Sequence, residues 1–162
     1  MDPAYTVAFV QSLQDVANKV LNMPVKVGKP KIHRSPSSGH DISAIIGLSG
    51  EVSGFVAISL SQGMAAEMVG RFVGMEVSPD DPDFTDGVGE IANMIAGGAK
   101  ARFAADRTIS ISCPSVVIGT NHKVAQQGEM PAIELPIETN SGEMLIIVVI
   151  RESEAEQAPA VA

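Results

Sequence analysis

The sequence predicts a single-domain α/β (α+β) fold, a largely antiparallel mixed sheet covered by helices, and three observations carry that prediction. Residues 42–48 and 52–60 are two β-rich runs joined only by Ser49-Gly50-Glu51, and residues 132–139 and 144–150 are two more joined through Asn140-Ser141-Gly142. Links this short close hairpins and forbid the long crossover that parallel neighbours require. Helical stripes precede and separate these hairpins. Finally, 162 residues that are 45 % hydrophobic but only 4 % aromatic provide one aliphatic core. At this size roughly two-thirds of the unfolded surface can be buried, without disulfide or metal.

The elements follow in order. Residues 5–23 carry Val7, Val10, Leu13, Val16, Ala17, Val20 and Leu21 at gaps of three and four, a helical stripe that Pro24 ends. Residues 25–32 alternate apolar with basic or glycine residues, the pattern of a half-exposed strand, and 34–39 form a loop by composition. Gly54, inside the second run of the first hairpin, marks a bulge or a close backbone approach. Ser61 caps a helix over 62–73 with Met64, Met68, Val69 and Phe72 on one side, and Gly74 terminates it.

Asp81 as N-cap, Pro82 at the first helical position and Asp83 at the positive end of the dipole then start a helix that reaches about residue 104. Residues 108–118 are β-branched. Residues 132–139 alternate strictly, and Pro136 places that strand at an edge or at a bulge because it lacks an N–H. The unbroken apolar run 144–150 is that of a central strand covered on both faces. Residues 1–151 are read as the domain and 152–162, Glu-Ser-Glu-Ala-Glu-Gln-Ala-Pro-Ala-Val-Ala, as a flexible acidic tail.

Composition excludes several functions. A net charge of −8 and a pI near 4.7 oppose a phosphate backbone, so no nucleic acid partner is expected. Cys113 is the only cysteine, which fits a reducing compartment, and no basic residue adjoins it to make a nucleophile. The start Met1-Asp2-Pro3 lacks the features of a signal peptide, and no apolar run approaches the ~20 residues of a membrane helix, so a cytoplasmic protein without a membrane partner is expected. His33, His40 and His122 lack paired-ligand spacing and are read as surface or hydrogen-bonded histidines rather than a metal site. The methionines are read as core filler. Position 92 is Ala, so Gly87 and Gly89 do not begin a dinucleotide fingerprint, and no Gly-x-Ser-x-Gly elbow occurs.

The informative segment is Asp86-Gly-Val-Gly-Glu90-Ile-Ala-Asn93-Met-Ile-Ala-Gly97-Gly98. At about 100° per residue, Asp86, Glu90, Asn93 and Gly97 fall within a stripe about 60° wide, opposite Val88, Ile91, Ile95 and Ala99. An acid and an amide thus sit one turn apart, facing out, above a residue without a side chain. Glycines at 87, 89, 97 and 98 each cost about 1 kcal/mol of helix propensity relative to Ala. They keep room for something to approach closely, either a ligand or another packed helix. Acids and amides on one exposed face are also what ordinary surface helices display, so spacing alone leaves both readings open.

The segment resembles the Asp/Ser-x₃-Glu-x₂-Asn signature of the CheC/CheX/FliY family of chemotaxis phosphatases, with Gly four residues after the Asn. The string Gly-Glu90-Ile-Ala-Asn93-Met-Ile-Ala-Gly97 is similar to the CheX branch in particular, and the likeness covers residues 4–150. CheC- and FliY-type members carry two such motifs and CheX-type members one. Here Asp15-Val-Ala-Asn18 keeps only the acid-x₂-Asn spacing, with Gln11 where Asp or Ser is wanted, and is assigned no activity. Gly98 stands where many CheX-like sequences have Asn.

The resemblance implies a CheC/CheX-like fold and hydrolysis of the aspartyl phosphate on a phosphorylated CheY-like response regulator, which ends a chemotaxis or motility signal. Asn93 would position the in-line water and Glu90 would hold the receiver's active-site lysine, while Asp86 and Gly97 would support or contact the partner. No cofactor of the protein's own is implied, Mg²⁺ being expected in the partner receiver. A homodimer joined through its sheets is implied too, with residues 132–139 as a candidate edge. The alternative is a non-catalytic receiver-docking or flagellar-switch-type module of the same fold, against which the retention of both Glu90 and Asn93 speaks.

Overall fold

A computed structural model describes residues 2–103, 105–120, 122–126 and 128–153. Helix α1 (Pro3–Asp15) starts where the Asp2 carboxylate accepts the Ala4 N–H at 2.9 Å, and it runs on into a single π-helical turn, Val16–Val20. The predicted strand at 25–32 is two short ones, β1 (Lys26–Val27) and β2 (Lys31–His33), separated by Gly28-Lys29-Pro30. The predicted loop at 34–39 contains β3 (Ser37–Ser38). Then come β4 (Ile42–Gly50), β5 (Val52–Leu60), α2 (Gln62–Val73) and α3 (Pro82–Phe103). The β-branched run breaks at Ser112-Cys113-Pro114 into β6 (Ile109–Ile111) and β7 (Ser115–Ile118). The chain finishes with β8 (Lys123–Val124), β9 (Ala132–Thr139) and β10 (Gly142–Glu152).

Among the described residues eight strands form one open sheet in the order β1-β9-β10-β5-β4-β6, with β2 beside β1 on β9 and β7 beside β6 on β4, and every pair is antiparallel. β10 is central, between β5 and β9, and pairing carries on to Arg151 and Glu152, past the apolar run. Residues 154–162, most of the predicted tail, lie outside the described residues.

One expectation is corrected. β9 is not an edge strand, because β10 covers one side of it while β1 and β2 cover the other. Pro136 faces the gap between β1 and β2, where Gly28 N–H donates to the Pro136 carbonyl at 2.8 Å. The proline therefore costs the sheet no ladder bond, and the predicted dimer route through residues 132–139 is closed.

The helices cover one face of the sheet over a mainly aliphatic core that includes Ile46, Ile58, Met64, Met68, Ile91 and Ile146, with Phe9 and Phe84 among them. Ile147 and Val149 point to the other face, where Ala57, Val124 and Ala132 make a smaller cluster under the β3–β8 ribbon. His122 anchors that ribbon, with Nε2 2.6 Å from the Ser43 hydroxyl and Nδ1 2.7 Å from the Gly119 carbonyl. His33 pairs with Glu134 at 2.7 Å. Both are hydrogen-bonded histidines, as expected. Gly54 has φ +143°, and a Cβ there would lie 1.9 Å from the Val149 carbonyl oxygen, so the glycine answers a close backbone approach at the β5–β10 seam.

The start of α1 is tied to the end of β10 through the Tyr5 hydroxyl, the Glu152 carboxylate and Arg107, whose guanidinium lies 2.7 Å from Tyr5 Oη and 3.0 Å from Glu152. The Tyr5 hydroxyl, and then Arg107, hold the Glu152 carboxyl below its usual range, while burial, and then Glu152, push the Tyr5 hydroxyl up. A lowered carboxyl stabilises the fold above its usual pKa, and that stability is lost as pH falls through the lowered value. Wild type should therefore melt above Glu152→Gln at neutral pH, with the gap closing on acidification in thermal melts. Glu152 is 53 % exposed, so solvent screening limits the effect to under about 1 kcal/mol.

Candidate active site

Helix α3 begins as its first residues dictate. The Asp81 carboxylate accepts the Asp83 N–H at 2.9 Å, Pro82 sits where no N–H is needed, and the Thr85 hydroxyl donates back to the Pro82 carbonyl at 3.1 Å. The helix then packs against α1 on one flank and α2 on the other, over β4, β6 and β7. Val88, Ile91, Ile95 and Ala99 are at most 1 % exposed. On the opposite face Asp86 and Glu90 are exposed, while Asn93 and Gly97 are half-buried between the flanking elements. The four stripe residues therefore share the outer face, as their spacing requires.

The four glycines separate into two kinds. A Cβ at Gly87 would meet Val69 of α2 at 2.9 Å, one at Gly89 would meet Pro114 at 3.3 Å, and one at Gly98 would meet the Ser12 hydroxyl of α1 at 2.3 Å. Those three are explained by neighbouring elements of the same chain. A Cβ at Gly97 would meet nothing within 4 Å. Only Gly97 keeps space that the fold itself does not use, and it keeps it one turn beyond Asn93.

Asp86 and Glu90 enter no ion pair among the described residues. They line a groove of about 390 Å³ together with Thr85, Gly89, Pro114 and Val116. Sequence reasoning missed the last two as parts of the site. Their signal was the proline that interrupts the β-branched run, opposite a glycine in the middle of a helix. Cys113 is exposed on the same β6–β7 connection. Asp86 takes no part in starting the helix, since Asp81 and Thr85 do so, and its carboxylate is left to face the groove.

The degenerate motif on α1 is used differently. Asp15 pairs with Arg102 of α3 and with Lys19 at 3.8 Å, and Asn18 lies exposed on the π turn. That acid is committed to joining two helices. A larger concavity, about 800 Å³ beside α2, is lined by Glu67 and Arg71, whose charges satisfy each other at 2.6 Å. The smaller α3 groove instead presents Asp86 and Glu90, which enter no ion pair among the described residues.

A carboxylate and an amide on an open helical face cannot surround a small molecule and exclude water from it. They can be pressed against a protein that brings its own reactive group. An open antiparallel sheet backed by helices, one of which displays acid-x₃-Glu-x₂-Asn outward, defines the class of chemotaxis phosphatases. The family described as "Chemotaxis phosphatase CheX" matches residues 42–138, and the chain belongs to that CheX family. It is 28 % identical over 145 residues to the CheY-P phosphatase CheX of Thermotoga maritima, covering 88 % of this chain and 92 % of that one. The structure of the chemotaxis protein CheX from Vibrio vulnificus superposes with a TM-score of 0.82 at 29 % identity, over 91 % of this chain and 99 % of that one. The CheX–CheY–BeF₃–Mg²⁺ complex of Borrelia burgdorferi shares the fold, with a TM-score of 0.76 at 24 % identity over 91 % of this chain and 98 % of that one.

Proposed function

We propose that this protein hydrolyses the aspartyl phosphate of a CheY-like response regulator, with the α3 stripe inserted against the phosphorylated site. The observation that carries the reading is the outward Glu90–Asn93 pair beside an open Gly97 in a member of the CheX family. The Thermotoga maritima relative is a CheY-P phosphatase, and the Borrelia burgdorferi fold neighbour forms a complex with CheY.

An acyl phosphate has a good leaving group, so the component to be supplied is a water held in line with phosphorus. The Asn93 amide fits that task without acting as a base. Its carbonyl accepts a hydrogen bond from the water while its NH₂ donates to a neighbouring oxygen. The water oxygen bonds to phosphorus, the phosphorus–carboxylate bond breaks, and the receiver's aspartate leaves with the electron pair. Glu90 makes a charge-assisted contact to the receiver's lysine and sets the register of insertion. Asp86 adds negative charge to the rim, and Gly97 lets the receiver backbone close in. Mg²⁺ belongs to the receiver in this scheme. The setting is the cytoplasm, where such receivers act.

The test is decay of ³²P from a phosphorylated CheY-type receiver with and without the protein. Accelerated decay is the expected result. Binding without acceleration would leave the docking module instead.

A homodimer through the sheet is part of the same reading, by way of β7. Among the described residues that strand pairs only with β4, and it leaves Val117 and Ile118 41 % and 59 % exposed. An unpaired strand edge with apolar side chains is a template for a second copy. Light scattering at micromolar concentration should give twice the 16.9 kDa chain mass, and Val117→Lys should return the monomer. A wild-type monomer would exclude the dimer.

A further inference from the structure

We infer that Ser12 is a positioning residue for the α3 site, holding rigid a glycine-weakened turn on which Asn93 and Gly97 are displayed. The inference rests on the reading of Asn93 as the water-orienting group. Two adjacent glycines, Gly97 and Gly98, lie in the interior of α3, where each costs about 1 kcal/mol against Ala and leaves the backbone free to open. A helix built this way bends at the pair unless something outside it holds the carbonyls.

The fold supplies two such holds. Ser12 of α1 is 1 % exposed and donates its hydroxyl to the Ile95 carbonyl at 2.6 Å. A Cβ at position 98 would lie 2.3 Å from the same Ser12 oxygen, so the hydroxyl fills the notch that Gly98 leaves. Arg102 donates to the Gly98 carbonyl at 2.8 Å while pairing with Asp15 of α1. The Ile95 carbonyl lies just ahead of the glycine pair and the Gly98 carbonyl belongs to its second member, and each receives a side-chain donor.

Ile95 lies between Asn93 and Gly97, so the Ser12 bond acts within the turn that carries the site. Ser12 is buried, and its hydroxyl is taken up by the Ile95 carbonyl. It acts on the reaction only through where α3 puts Asn93. A misplacement of about 1 Å can lose about 10²-fold in an in-line attack, so partial loosening is visible in rate.

The test compares Ser12→Ala with Ser43→Ala. Ser43 is also fully buried and hydrogen-bonded, to Ser59 at 2.8 Å and His122 at 2.6 Å, but on the face of the sheet away from the helices. Assays run well below every variant's melting temperature, on a phosphorylated CheY-type receiver. Ser12→Ala should lower kcat about tenfold with KM within about twofold, and should speed amide exchange at residues 96–102. Ser43→Ala should lower the melting temperature as much and leave kcat unchanged. Wild-type kcat in Ser12→Ala, equal kcat losses in the two variants, or unchanged exchange at 96–102 would each overturn the inference. A wild-type protein that accelerates nothing defeats the phosphatase reading instead, and the exchange measurement then decides whether Ser12 stiffens the turn.

Discussion

Asn93→Ala is expected to slow receiver dephosphorylation by about 10²-fold or more, because the attacking water loses the group that aligns it. The same change should move stability by no more than about 1 kcal/mol, since the half-buried side chain lies on the outer face of α3 and outside the hydrophobic core. Asn93→Asp sharpens the test. It keeps the shape, removes the NH₂ donor and brings a negative charge toward the phosphoryl oxygens, so it should be as inactive as the alanine variant. Glu90→Ala removes a contact to the partner and should raise KM as well as lower kcat. Decay of ³²P with each variant measures all three. An active Asn93→Asp would mean that the residue fills space rather than orients water.

Gly54→Ala carries the largest expected cost in stability. A Cβ at this position would sit 1.9 Å from the Val149 carbonyl oxygen, in backbone at φ +143° that side chains rarely adopt. Backbone strain alone costs about 1–3 kcal/mol, and the seam between β5 and β10 must also part. Domains of this kind hold only about 5–15 kcal/mol in total. The variant should therefore melt far below wild type or fail to accumulate folded, as circular dichroism melts would show. A melting temperature near wild type would mean that β10 does not approach β5 this closely.

Much of the fold was legible because its signals are local. The two hairpins follow from short links, α3 begins where Asp81 and Pro82 say it should, and Gly74 ends α2 with φ +84°. The outward stripe followed from periodicity alone. What escaped depends on residues distant in sequence. The alternation at 25–32 hides a break at Gly28-Lys29-Pro30, which matters only because Pro136 lies opposite it. The β3–β8 ribbon is two residues wide on each side and has no periodicity to detect. Pro114 and Val116 join the site only when the β6–β7 connection is laid against Gly89. Nothing in the sequence tells a glycine that admits a neighbouring helix, such as Gly98, from one that faces open space, such as Gly97.

The central seam also bears on how the molecule assembles. Each hairpin closes over a few residues, β4 with β5 and β9 with β10, and such hairpins form in about 1–10 μs in isolation. Joining them requires β10 to find β5 in a register that runs from Met144 beside Leu60 to Glu152 beside Val52, with both helices α2 and α3 lying in the loop between. Contacts this distant along the chain are the slow ones. The zippering of β10 onto β5 is therefore the expected rate-limiting event of folding, and until it is complete the apolar run of β10 stays open to another chain.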